Sequence, residues 1–123
     1  MPFDDYKIAF TVHTEYLYVH LKAEDVSDGS ISAYVSDIVA KSEETGLDKI
    51  ILYRDIPVAN NEASVFKTVS ASLEELYGKK LAIVNPYEEL NDVLKFGMTV
   101  GSNRGGNYEV FDTVEEAEKW LLS

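Results

Sequence analysis

The sequence predicts an α/β domain with a mixed β-sheet, in the order ββαβαβαβα. Three observations lead there. The stretch Asp48 to Asp55 reads DKIILYRD and runs Ile50, Ile51, Leu52, Tyr53 without a polar break, as a strand covered on both faces does. Two runs near the N-terminus alternate apolar and polar residues, as the strands of a half-exposed hairpin do. Beyond them, helix-period segments alternate with apolar runs, which makes the later strands parallel and joined by right-handed crossovers.

The elements follow in order. In Lys7 to His13, Ile8, Phe10 and Val12 point one way and Lys7, Ala9, Thr11 and His13 the other. In Tyr16 to Lys22, Leu17, Val19 and Leu21 oppose Tyr16, Tyr18 and His20. Ser27 and Asp28 are N-caps for a first helix, whose inner face is Ile31, Tyr34, Val35, Ile38 and Val39. Gly46 stands where a C′ glycine ends it. The central strand follows, then a loop, IPVANNEAS. Asn60 or Asn61 caps a second helix with Phe66, Val69, Leu73, Leu76 and Tyr77 inward, stopped by Gly78. Lys80 to Val84 is a second buried strand. Asn85-Pro86-Tyr87-Glu88 opens a third helix, with an Asn cap and proline at the first helical position. Leu90, Val93, Leu94 and Gly97 continue it. GSNRGGN, from Gly101 to Asn107, is a flexible connection. Tyr108 to Phe111 is a short strand, and Thr113-Val114-Glu115-Glu116 is a capping box before a last helix with Ala117, Trp120 and Leu121 on one face.

The 123 residues suit a single domain spanning 1–123. Net charge is −11, which disfavours nucleic-acid binding and electrostatic docking on anionic lipid. With no cysteine in the chain, disulfides, zinc ribbons and thiol chemistry are excluded. The acidic start MPFDDYKIAF lacks a signal peptide's basic region, and no run approaches the roughly 20 apolar residues of a membrane span. A soluble cytoplasmic protein without membrane insertion is the expectation.

Four stretches carry a family resemblance: the hairpin ending EYLYVHLKAED, the strand KIILYRD, the segment KKLAIVNPYEELNDVLKFG and the ending YEVFDTVEEAEKWL. Together they resemble the STAS domain, and within it the SpoIIAA-like group of small STAS/SEC14-type proteins, over essentially the whole chain. The resemblance implies a non-enzymatic module. The family's anti-sigma factor antagonists are switched by phosphorylation of a serine in an Asp-Ser-Ser-Gly motif after the central strand. A phosphate at that helix N-terminus adds charge and reshapes a partner surface. Here the corresponding stretch is Ala59-Asn60-Asn61-Glu62-Ala63-Ser64-Val65. Glu62 or Ala63 falls near the acceptor position, and Ser64 lies close by but out of register, with no Asp before it and no Gly after it. The implied partner-binding loop is therefore Asn60, Asn61, Glu62 and Ser64, with Ser64 the candidate phospho-acceptor. The ordinary readings are a capping serine and an acid favoured near a helix N-terminus.

Other residues also have plain structural roles. Asp55 ends the central strand, where receiver domains keep a phospho-acceptor aspartate, but Val12-His13-Thr14 stands in place of the acidic pair that such a site needs. His13 and His20 have no further ligands at metal spacing and no serine or carboxylate at triad spacing. Arg104 among Gly101, Gly105 and Gly106 matches no phosphate-loop pattern. No catalytic residue, metal site or cofactor is assigned. Tyr16, Tyr18 and His20 form a polar-aromatic stripe, read as a candidate homodimer face because tyrosine is enriched at interfaces.

Two functions are therefore expected. The first is a regulatory module that binds a protein partner around residues 56–66 and the adjacent helix face, Asn61 to Tyr77. The second, suggested by SEC14-like relatives, is a carrier of a small apolar ligand or lipid, with Tyr34, Tyr53, Phe66, Tyr77, Phe96 and Met98 as lining residues. Each of those six is equally a core residue.

Overall fold

A computed structural model describes residues 6–24, 28–57, 76, 78–103 and 107–123. The hairpin strands are β1 (Tyr6–Val12) and β2 (Leu17–Ala23), followed by helix α1 (Asp28–Thr45) and the central strand β3 (Lys49–Asp55). Then come β4 (Lys80–Val84), a 3₁₀ turn (Glu88–Leu90), α2 (Asn91–Asn103), β5 (Asn107–Phe111) and α3 (Val114–Leu121). The five strands form one mixed sheet in the order β1-β2-β3-β4-β5. β1 and β2 are antiparallel, and β2 through β5 are parallel. The α/β class and the opening hairpin are as the residue pattern predicts.

Period-two alternation sorts the side chains onto two faces. The first face carries Leu17, Val19 and Leu21 of β2, Ile50 and Leu52 of β3, Leu81 and Ile83 of β4, and Tyr108 and Val110 of β5. Tyr34, Val35 and Ile38 of α1 and Leu94 of α2 pack on it. Successive right-handed crossovers in one direction place their helices on one side of a sheet, and α1 and α2 share this side. The second face carries Ile51, Ala82 and Val84, and α3 covers them with Ala117 and Leu121, both fully buried. The unbroken apolar run of β3 is explained by this double covering.

Local chemistry sets the boundaries. Gly46 adopts φ +73°, and the Leu47 amide donates to the Ser42 carbonyl at 3.2 Å, a Schellman ending that the left-handed conformation makes possible. Thr113 caps α3, its hydroxyl oxygen accepting from the Glu116 amide at 3.2 Å. At the other end of α3, the Lys80 ammonium donates to the Trp120 carbonyl at 2.8 Å and lies 4.5 Å from the Trp120 ring centroid.

Two boundaries differ from expectation. Pro86 does not open a helix. Asn85, 2% exposed, accepts from the Tyr87 amide at 3.0 Å and donates to the Tyr87 carbonyl at 2.7 Å and to the Asn91 side chain at 2.8 Å. Such an Asx turn competes with helix, so Tyr87 stays extended, at φ −106° and ψ 94°, and the α-helix begins only at Asn91 after the 3₁₀ turn. At its far end α2 continues through Gly101 to Asn103, where a flexible connection was expected. An isolated glycine costs a helix only about 1 kcal/mol, which did not stop this one. Ser27 and Arg104, Gly105 and Gly106 lie outside the described residues.

Candidate functional site

Among the described residues, only half of the second sheet face is covered. α3 lies over β3 and β4, and no described helix covers that face of β1 and β2. Cross-strand register sets the rows of this open half. Ala9 faces His20, which faces Tyr53; Thr11 faces Tyr18, which faces Ile51; Lys7 faces Lys22, which faces Asp55. Each row crosses from exposed side chains on β1 to the margin of α3.

The stripe Tyr16, Tyr18, His20 divides across this margin. Tyr16 is buried, 7% exposed, and its hydroxyl donates to Glu118 Oε2 of α3 at 2.7 Å. Burial first, then that bond and the Glu118 charge, push the Tyr16 hydroxyl up to about 12. Tyr16 therefore fastens α3 to the hairpin and offers no free surface. His13 stacks on its ring at 4.5 Å between centroids. Tyr18 is half-buried, its hydroxyl raised above the usual value by burial and by Tyr53. His20 is exposed, and its ring tilts against Tyr53 at 5.1 Å.

At the carboxyl end of the parallel strands, where α/β sheets commonly bind their ligands, a polar cluster continues the surface. The Tyr87 hydroxyl donates to Asp55 Oδ1 at 2.7 Å, and that bond is the main reason its pKa is raised. His20 Nε2 stands 3.9 Å from Asp55 Oδ2, beyond hydrogen-bond range, with the His20 side chain 46% exposed. Asp55 thus has one oxygen satisfied by tyrosine and another turned toward a half-exposed imidazole. This arrangement suits recognition of a hydrogen-bond donor from outside. Asp55 and His20 stand out separately in the sequence, and Tyr87 does not. Strand alternation puts Tyr18 with His20, but their meeting with Asp55 depends on the β2–β3 register and on the Asx turn, which no local pattern encodes.

A second unforeseen cluster sits at the opposite end of the sheet. The buried Lys79 ammonium donates to the Ser42 hydroxyl at 2.9 Å and to Asp48 Oδ1 at 3.3 Å. Ser42 is fully buried and donates to the Leu47 carbonyl at 2.6 Å. A serine–lysine pair can serve nucleophilic catalysis, but here the hydroxyl proton is committed to a carbonyl and no substrate reaches it. The cluster ties the end of α1 to the start of β4.

The six residues expected to line a ligand site are dispersed where they are described. Tyr34 lies in the first-face core, its hydroxyl raised by burial and partly offset by its hydrogen bond with Arg54. Tyr53 packs on the opposite face, and Phe96 is 37% exposed on α2. Phe66, Tyr77 and the Met98 side chain lie outside the described residues, as do Asn60, Asn61, Glu62 and Ser64. Arg54, missed in the sequence, is buried on the first face and donates to the Ile56 carbonyl at 3.1 Å.

Among the described residues, no group of three or more His, Cys, Asp or Glu side chains is placed to hold a metal ion. No helix of the described residues is long and apolar enough to cross a membrane. No protein-family model matches the chain, and no curated protein matches it significantly.

Proposed function

We propose that this protein is a non-enzymatic interaction module of the STAS, SpoIIAA-like type, which binds a protein partner at the carboxyl-end rim of its sheet. The observation that carries the reading is the half of the second face that no described helix covers, where Tyr18, His20, Tyr53 and Asp55 stand beside the margin of α3. Tyrosine and histidine at such a rim offer apolar area and a polar tip together. The mixed sheet with its opening hairpin supports the family reading. In this proposal Asn60, Asn61, Glu62 and Ser64, which follow β3 in the chain, remain the candidate partner-binding residues, with Ser64 the candidate phospho-acceptor. No catalytic step is assigned.

The test is site-specific photo-crosslinking in cells of the source organism. A photoreactive residue replaces His20 in one variant and the exposed Glu43 of α1 in another. The proposal expects one discrete cross-linked protein band from position 20 and none from position 43. Equal, diffuse labelling from both positions refutes it.

A further inference from the structure

β1 is an edge strand, and no described strand lies on its outer side. Its seven residues, YKIAFTV, carry no acid and one lysine. Edge strands are commonly protected by charge, proline or bulges. This one pairs with β2 residue for residue without a bulge. Its last residue, Val12, is 54% exposed, the most exposed large apolar side chain described.

The direction of its backbone groups can be worked out. The His13 amide donates to the Tyr16 carbonyl at 3.0 Å, so His13 and Tyr16 form a hydrogen-bonded pair. Antiparallel ladders alternate bonded and non-bonded pairs. Thr11, Ala9 and Lys7 therefore turn their backbone groups toward β2. Ile8, Phe10 and Val12 turn theirs to the open edge.

We propose that this edge pairs with β1 of a second copy of the chain, antiparallel, about a two-fold axis through Ala9. That register is self-complementary on three counts. Ile8 meets Phe10 of the second copy, and both have outward-turned backbone groups, giving about four central hydrogen bonds. Val12 meets Tyr6 of the second copy, on the face where Tyr6, Ile8 and Phe10 already pack against the first-face core, so the apolar layer continues across the axis. Lys7 meets Thr11 of the second copy, so no like charges oppose one another. The two sheets join into one. Because each copy carries a net charge of −11, the pairing strengthens as salt screens the bodies. The paired edge adjoins the partner-binding face, since Ala9 stands opposite His20 in the β1–β2 register, but its hydrogen bonds run from the outer side of β1.

The register makes a sharp test. Ala9 is exposed and lies on the axis in a non-bonded pair, where Cα atoms approach to about 4.5 Å, within disulfide reach. Thr11 of one copy is offset four residues from Thr11 of the other, about 13 Å away. The chain has no cysteine of its own. Under mild oxidant, A9C should give a covalent dimer and T11C should stay monomeric. In sedimentation velocity the unmodified chain should dimerise more tightly at high salt than at low. A9D, which puts two carboxylates face to face, should weaken dimerisation at least tenfold while leaving the circular dichroism spectrum unchanged. A chain that stays monomeric at every concentration and salt level overturns the proposal. So does a dimer that A9D leaves intact, or one in which A9C and T11C cross-link equally.

Discussion

Replacing Tyr16 with phenylalanine tests how α3 is held to the hairpin. The substitution keeps the ring stacked on His13 and deletes only the hydroxyl that donates to Glu118 at 2.7 Å. Hydrogen bonds to charged groups contribute about 1.5–3 kcal/mol. Glu118 is exposed and regains water when the hydroxyl goes, so the lower end applies, about 1.5 kcal/mol. At about 2.1 cal/mol/K of unfolding entropy per residue, that is a fall in Tm of about 6 °C for a chain of 123 residues. The pH dependence is a sharper signature. The Tyr16 hydroxyl is pushed up from 10.0 to about 12 in the folded chain, so its neutral form is favoured there. Its contribution is complete below about pH 10 and is lost as pH rises through 12, a fall of about 3 kcal/mol. Tyr16→Phe lacks that loss, so the two stability curves should converge and cross near pH 11. Urea denaturation of both proteins from pH 7 to 12 measures this. A Tm within 1 °C of the parent chain, or a gap that stays constant through pH 12, refutes the reasoning.

Two further substitutions test the local account. Gly46→Ala meets no neighbour within 4 Å but must hold φ +73°; it should cost about 1 kcal/mol in urea denaturation, from backbone conformation alone. Asn85→Ala removes the Asx turn and leaves the Tyr87 amide and the Asn91 side chain without their buried partner. It should cost about 2 kcal/mol and shift the His20 ring resonances, because Tyr87 then holds Asp55 less firmly. Unchanged His20 resonances count against the cluster.

The elements were legible where local chemistry decides them. The alternation of Ile8, Phe10 and Val12 and the unbroken run Ile50 to Tyr53 required a hairpin and a doubly covered strand. Gly46 and Thr113 marked helix ends because left-handed φ and side-chain capping are properties of single residues. Asn85, expected as a helix cap, caps no helix: its side chain closes an Asx turn instead. The site was less legible. Tyr16, Tyr18 and His20 look alike by alternation, and only the position of α3 separates the buried member from the exposed one. The joining of His20, Asp55 and Tyr87 depends on strand register and on the turn after β4, both set by the tertiary structure. Lys79 reads as a surface lysine until Ser42 and Asp48 are brought to it from α1 and the turn before β3.

The claim that matters most is that the open half of the second sheet face is occupied by a partner. Hydroxyl-radical footprinting of the purified protein, compared with footprinting inside cells, tests it on the unmodified chain. Tyr18, His20 and Tyr53 should react in the purified protein and lose most of that reactivity in cells, while Phe96 and Leu122, exposed away from this surface, react equally in both. Equal reactivity of Tyr18 and His20 in both settings would contradict the account.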